Sequence, residues 1–152
     1  MIACQGSHQF RIVACGIERA MSEPFKTARL PGPPDAIAPD GSEVRVLLQL
    51  AGGSVAHFEL SAGLASRAVA HRTVDELWYV LSGQGEMWRN NGEQEEVVTL
   101  EPGTCLTIPV GTRFQFRSAH VGPLAAIGVT MPPWPGAAEA YEVPGRWPAS
   151  VS

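Results

Sequence analysis

An all-β fold, a single antiparallel barrel or jelly roll, is what this 152-residue sequence predicts. Three observations carry the prediction. Apolar stretches are short and bounded by turn residues, with 16 glycines and 13 prolines punctuating the chain without a period, which suits a many-turned β protein. Asn90-Asn91-Gly92 separates two strand-like runs, and Asn-Gly is the strongest short-range hairpin signal because both residues tolerate positive φ. Arg113-Phe114-Gln115-Phe116-Arg117 alternates perfectly, which places both phenylalanines on one face of a strand and the polar residues on the other.

Taken in order, residues 1–20 show neither helical nor alternating pattern, and Met21 begins a polar segment that reads as a second possible start beside Met1. Residues 31–41 hold four prolines and two glycines, a composition incompatible with helix or central strand, and end in an Asp40-Gly41 turn. Residues 1–41 are therefore assigned to an N-terminal extension and proline-rich arm, 42–132 to the barrel and 133–152 to a C-terminal tail. Strands are expected over Glu43 to Leu50 and 55–60, with a turn at Gly52-Gly53. In the second run Ala56, Phe58 and Leu60 share the more apolar face, and His57 and Glu59 the other. Residues 77–81 are apolar on both parities, which predicts cover on both faces. Gly83-Gln84-Gly85 is a turn, lacking the helix that a phosphate-binding glycine loop requires. The hairpin around Asn91 follows, with Glu93, Glu95 and Glu96 on its solvated face. Leu124 to Met131 is the last strand, and the rigid Pro132-Pro133-Trp134-Pro135 segment is expected to lay its Trp over one end of the barrel.

Composition narrows the function. The net charge is −4, with one lysine and ten scattered arginines, so no basic stripe exists to neutralise phosphates and nucleic acid is not an expected partner. No apolar run reaches the ~18 residues that span a bilayer, and the stretch before residue 20 is too short for a signal-peptide core, so no membrane association is expected. Cys4, Cys15 and Cys105 are few, odd in number and widely spaced, arguing for a reducing, cytoplasmic setting. Cys105, on an apolar strand, is expected to be a buried hydrophobe.

Two spacings organise the centre of the chain: Gly63-x5-Val69-x-His71-x4-Glu76-x6-Gly83, then Gly103-x5-Pro109-x-Gly111-x2-Phe114-x3-Ser118. Together they resemble the paired motifs of the cupin superfamily, in small single-domain form. The resemblance implies a cupin-like double-stranded β-helix and, from the way such domains cover their sheets, a homodimer. It also implies that Val69 and Phe114 stand where a cupin has metal-binding histidines, and Ser118 where it has an asparagine. Only His71 and Glu76 of the four usual ligands are kept, a degenerate metal site.

In a cupin the motif glutamate projects into the lumen, so alternation would set Glu76, Trp78 and Val80 inside and Leu77, Tyr79 and Leu81 outside. Asp75 would point away from Glu76. The expected pocket is lined by His71, Glu76, Trp78, Phe114 and Phe116, with Trp88 a further candidate. His71 and Glu76 are the candidate catalytic pair, able to act as acid and base without metal, and the candidate metal ligands, with His57 and His120 as further donors if folding brings them to the lumen. A catalytic divalent ion commonly takes three protein ligands, so the cofactor is none, or one Mn, Fe, Ni or Zn ion. Three functions follow: a lumen that binds a small organic molecule beside an incomplete metal site; a metal-dependent isomerase, dioxygenase or decarboxylase acting on a sugar or small acid; or a structural or regulatory module with an inert lumen.

Overall fold

The computed structural model describes residues 22–152, so the alternative starts, Met1 and Met21, lie outside the described residues. Among the described residues eleven strands form two antiparallel sheets: β1 (Ala36–Ile37), β2 (Glu43–Leu50), β3 (Gly53–Leu60), β4 (Val69–His71), β5 (Asp75–Ser82), β6 (Gly85–Asn90), β7 (Glu95–Leu100), β8 (Cys105–Ile108), β9 (Arg113–Ser118), β10 (Leu124–Met131) and β11 (Ala140–Glu142). The larger sheet runs β1-β2-β3-β10-β5-β8 and the smaller β11-β4-β9-β6-β7. They face each other as a jelly roll and do not close into a continuous barrel, so the lumen is the space between two inner faces.

Alternation sorts each strand between core and surface as its residues dictate. On β5, Glu76, Trp78 and Val80 are buried and Asp75, Leu77, Tyr79 and Leu81 are exposed. Asp75 instead accepts the Val110 backbone N–H, 2.8 Å away. On β9, Phe114 and Phe116 enter a core shared with Leu60, Met87, Leu106 and Ile108. The glycine of the first motif's end is required by geometry: Gly83 has φ of 81°, and a Cβ there would meet the Pro123 carbonyl oxygen at 2.1 Å, so only glycine closes this turn.

Leu77, Tyr79 and Leu81 are 38, 49 and 43% exposed, so no described residue of the chain supplies the second cover that their apolar character predicts. The burial expected of Cys105 is corrected by the structure. Cys105 is exposed, because Leu106 and Ile108 take the inward parity of β8 and leave Cys105 and Thr107 outside. Among the described residues no helix is long and apolar enough to cross a membrane.

The arm and the tail contribute to the sheets. Ala36 and Ile37 pair with β2 as an edge strand, where proline-rich neighbours cost no ladder bonds. Arg45 holds the arm down by donating to the carbonyls of Pro31 and Gly32. At the other end β11 pairs with β4, and the Glu139 carboxylate accepts the N–H groups of Thr73 and Val74. That anchor fixes the corner between β4 and β5, and hence the relative position of His71 and Glu76.

Candidate functional site

His71 ends β4 and Glu76 stands near the start of β5, so the two side chains converge from opposite sheets. Both are almost fully buried, 5 and 4% exposed. His71 Nδ1 lies 3.6 Å from Glu76 Oε2, too far for a hydrogen bond, and that nitrogen has no partner although it is shut off from solvent. Glu76 Oε1 is occupied, accepting the Trp78 indole N–H at 3.0 Å. A neutral carboxyl therefore carries its proton best on Oε2, the oxygen that faces His71.

Burial sets the protonation of both groups. It pushes Glu76 up to about 8, against the Trp78 hydrogen bond that lowers it and with help from the nearby Asp40 carboxyl. Burial likewise brings His71 down to about 4, Glu139 acting weakly the other way. At neutral pH the pair is thus a carboxylic acid beside a neutral imidazole, two uncharged groups able to donate and accept.

Aromatic rings wall the pair. Phe114 and Trp134 each meet the His71 ring edge-on with centroids 5.2 Å apart. Trp78 stacks on Phe58 at 5.6 Å and meets Phe116 edge-on at 4.9 Å. Trp134 covers the end of the lumen as its rigid prolines predict, its backbone N–H bound to Ser54 Oγ. A cleft of about 20 Å3 remains between Asp40, His71, Glu76 and these rings. Beyond Phe58 and Trp134, which line both spaces, lies a second cavity of about 170 Å3 walled by Val44, Val46, Ala56 and Gly128.

Gly128 makes this room. It pairs with Trp78 across the strands, and a Cβ on it would sit 2.6 Å from both Glu76 Oε1 and Phe58 Cε2. Gly128→Ala is expected to destabilise the fold by about 1–3 kcal/mol through overpacking, read as a shift of the urea midpoint at unchanged slope; an unchanged midpoint would contradict the crowding.

The family model "Cupin domain" matches residues 56–130. Residues 56–130 form a cupin domain. No curated protein sequence matches the chain. Among solved structures, a variant of Streptomyces Pac13 with uridine superposes with a TM-score of 0.59 at 18% identity, covering 78% of this chain and 92% of that one. An uncharacterised double-stranded β-helix protein of Klebsiella pneumoniae gives 0.53 at 20% identity, covering 62 and 80%. KdgF from Halomonas gives 0.53 at 18%, covering 60 and 79%. At these identities the likeness concerns the fold.

Within the cupin domain, the two substituted motif positions face each other: Val69 pairs with Phe114 across β4 and β9, both buried in the core. They fill with hydrocarbon the wall that imidazoles would occupy. The donor set left behind does not fit a divalent ion. Among the described residues no group of three His, Cys, Asp or Glu side chains is placed to hold one.

Three sequence-predicted residues lie elsewhere. Trp88 pairs with Gln115, and Gln115 is on the face of β9 opposite Phe114 and Phe116; Trp88 therefore lies outside the lumen, its indole bound to Glu95. The tail covers that outer face, with Gln115 holding the backbone of Arg146 and Trp147. His57 pairs with Arg45 on β2 and Ile127 on β10, all on the outward parity, so it donates nothing to the lumen. His120, in the loop beside Gly63, is also absent from the site lining.

Asp40 joins the site unforeseen. Its sequence context signals only a turn, yet its carboxyl is buried and lines the cleft with His71 and Glu76. Both donors from Ser42 go to Oδ1. Burial raises its pKa, opposed by those Ser42 bonds and by Arg67.

Proposed function

We propose that this cupin-fold protein binds a small organic molecule in its lumen without a metal ion, the polar group of the ligand meeting Glu76 and His71 and its apolar part lying against Phe58 and Trp134. One observation carries the reading. A buried, unpartnered imidazole nitrogen faces a buried carboxyl at 3.6 Å beside a cavity, and a buried polar atom left unpaired costs about 1–3 kcal/mol that a ligand group would recover. The inert-lumen alternative leaves that cost uncompensated, and a metal-dependent enzyme would need donors that Val69 and Phe114 do not provide. A neutral carboxylic acid and a neutral imidazole are also the right pair to give and take one proton, so acid–base chemistry on the bound molecule is open to this site.

A thermal-shift screen of uncharged, cationic and anionic small molecules tests the reading, run on the parent chain and on Glu76→Gln and His71→Ala. Stabilisation by one class that both substitutions weaken is expected. Shifts that ignore both substitutions would point away from the lumen, and no shift from any class would favour an inert core.

The exposed Leu77, Tyr79 and Leu81 row supports a homodimer through the outer face of the larger sheet. Its neighbours are apolar too: Leu77 pairs with Val129, and Tyr79 with Ile127, giving a continuous hydrophobic face of the kind that marks association sites. Light scattering is expected to give a dimer for the parent and a monomer for Tyr79→Lys with Leu81→Glu; a parent that stays monomeric at high concentration overturns it. A cytoplasmic location is in keeping with the free Cys105 thiol.

A further inference from the structure

We infer that the lumen is built for an organic primary ammonium ion, its nitrogen in the cleft between Asp40, His71 and Glu76 and its small apolar body in the cavity beyond Phe58 and Trp134. The inference rests on the lumen being a ligand pocket, and adds what kind of ligand.

Size comes first. The cleft holds about 20 Å3, room on the order of one water-sized atom, so a carboxylate, phosphate or amide head does not fit while a single nitrogen or hydroxyl oxygen does. The adjoining space of about 170 Å3 is close to that of an apolar cavity known to take a single benzene ring.

Charge decides next. Two carboxyl groups, Asp40 and Glu76, line the cleft, and no Lys or Arg among the described residues lines either cavity. Arg67 acts on Asp40 without being part of either lining. An anion would find no countercharge, whereas an ammonium ion displaces to solvent the proton that burial keeps on Glu76 at neutral pH and is then held by a buried carboxylate in a medium where charge-assisted hydrogen bonds are strongest.

The acceptor count separates ammonium from hydroxyl. Glu76 Oε2 and Asp40 Oδ2 have no donor among the described residues, since Trp78 and Ser42 bind the other oxygen of each. His71 Nδ1 is the third open acceptor, buried and unpartnered. Once Glu76 has given up its proton, three acceptors match the three N–H bonds of a primary ammonium, while an alcohol satisfies one. The rings of Phe58, Trp78, Phe114 and Trp134 around the cleft offer apolar surface to the carbons next to the nitrogen.

Calorimetry on the full chain tests this with near-isosteric probes: benzylamine, benzyl alcohol and benzoate, and the smaller isobutylamine and isobutanol. Each amine is expected to bind at least about tenfold tighter than its alcohol, with benzoate silent. Asp40→Asn and Glu76→Gln should each weaken the amine by about tenfold or more and change the alcohol by less than about threefold, with unfolding midpoints showing that both variants fold. Should Asp40→Asn fail to fold, Glu76→Gln carries the comparison alone. Alcohols that bind as well as the amines overturn the ammonium assignment and leave the ligand pocket standing. If none of the five compounds binds, both readings fall.

Discussion

Raising the pH from 4.5 to 8 is expected to cost the parent protein about 3–5 kcal/mol through Glu76, and the Glu76→Gln protein none of it. The folded protein holds this carboxyl up to about 8 by burial, whereas the unfolded chain ionises it near 4.5. Below 4.5 both states bind the proton and stability is complete; between 4.5 and 8 only the folded state keeps it, and stability falls. His71 works in the opposite sense. Its folded pKa is brought down to about 4, so its contribution is complete above about 6.5 and is lost as the pH falls toward 4. The two slopes offset each other between about 4.5 and 6.5. Urea unfolding of the parent should therefore show a broad plateau there and a decline toward pH 8, while Glu76→Gln should rise from pH 4 and stay level above 6.5. Gln at this position keeps an acceptor for Trp78 and offers an N–H toward His71, so the fold is retained. Parallel profiles for the two proteins would show that Glu76 is not held neutral.

Trp78→Ala is expected to be the most damaging single change in the lumen, costing about 3–5 kcal/mol from the cavity alone. The indole is 2% exposed, stacks on Phe58, meets Phe116 and donates to Glu76. Trp78→Phe separates the contributions: most of the ring packing stays, but Glu76 Oε1 loses its donor at a cost of about 1–3 kcal/mol. Losing that hydrogen bond also removes the interaction that favours the ionised carboxyl, so the decline with pH should extend to higher pH in Trp78→Phe than in the parent. A decline at unchanged pH would show that the indole does not set the proton affinity of Glu76.

Much of the site follows from local sequence. Because successive side chains on a strand alternate, fixing Glu76 inside fixes Trp78 and Val80 inside and Leu77, Tyr79 and Leu81 outside, and the same rule puts Phe114 and Phe116 together. Trp88 escaped that logic because Gly83-Gln84-Gly85 interrupts the alternation, and only the pairing of Trp88 with Gln115 shows which face it takes. His57 kept its parity, outward and opposite Phe58, but the parity of one strand does not say which face of the sheet is the lumen. Gln115 is buried despite its polar face because a tail more than 30 residues away in sequence binds its amide.

The sequence by itself determined the longer strands, the inward and outward residues of β5 and β9, the cupin motif spacings and the glycine turn at Gly83, since each depends on residues within a few positions of one another. Tertiary structure alone decided that Asp40 joins His71 and Glu76 in one cleft, that Gly128 leaves it open, and that the Leu77 to Leu81 face is bare. Those features depend on which strands lie side by side and where the arm and tail return to the sheets. That is a matter of long-range register, and neither periodicity nor local propensity encodes it.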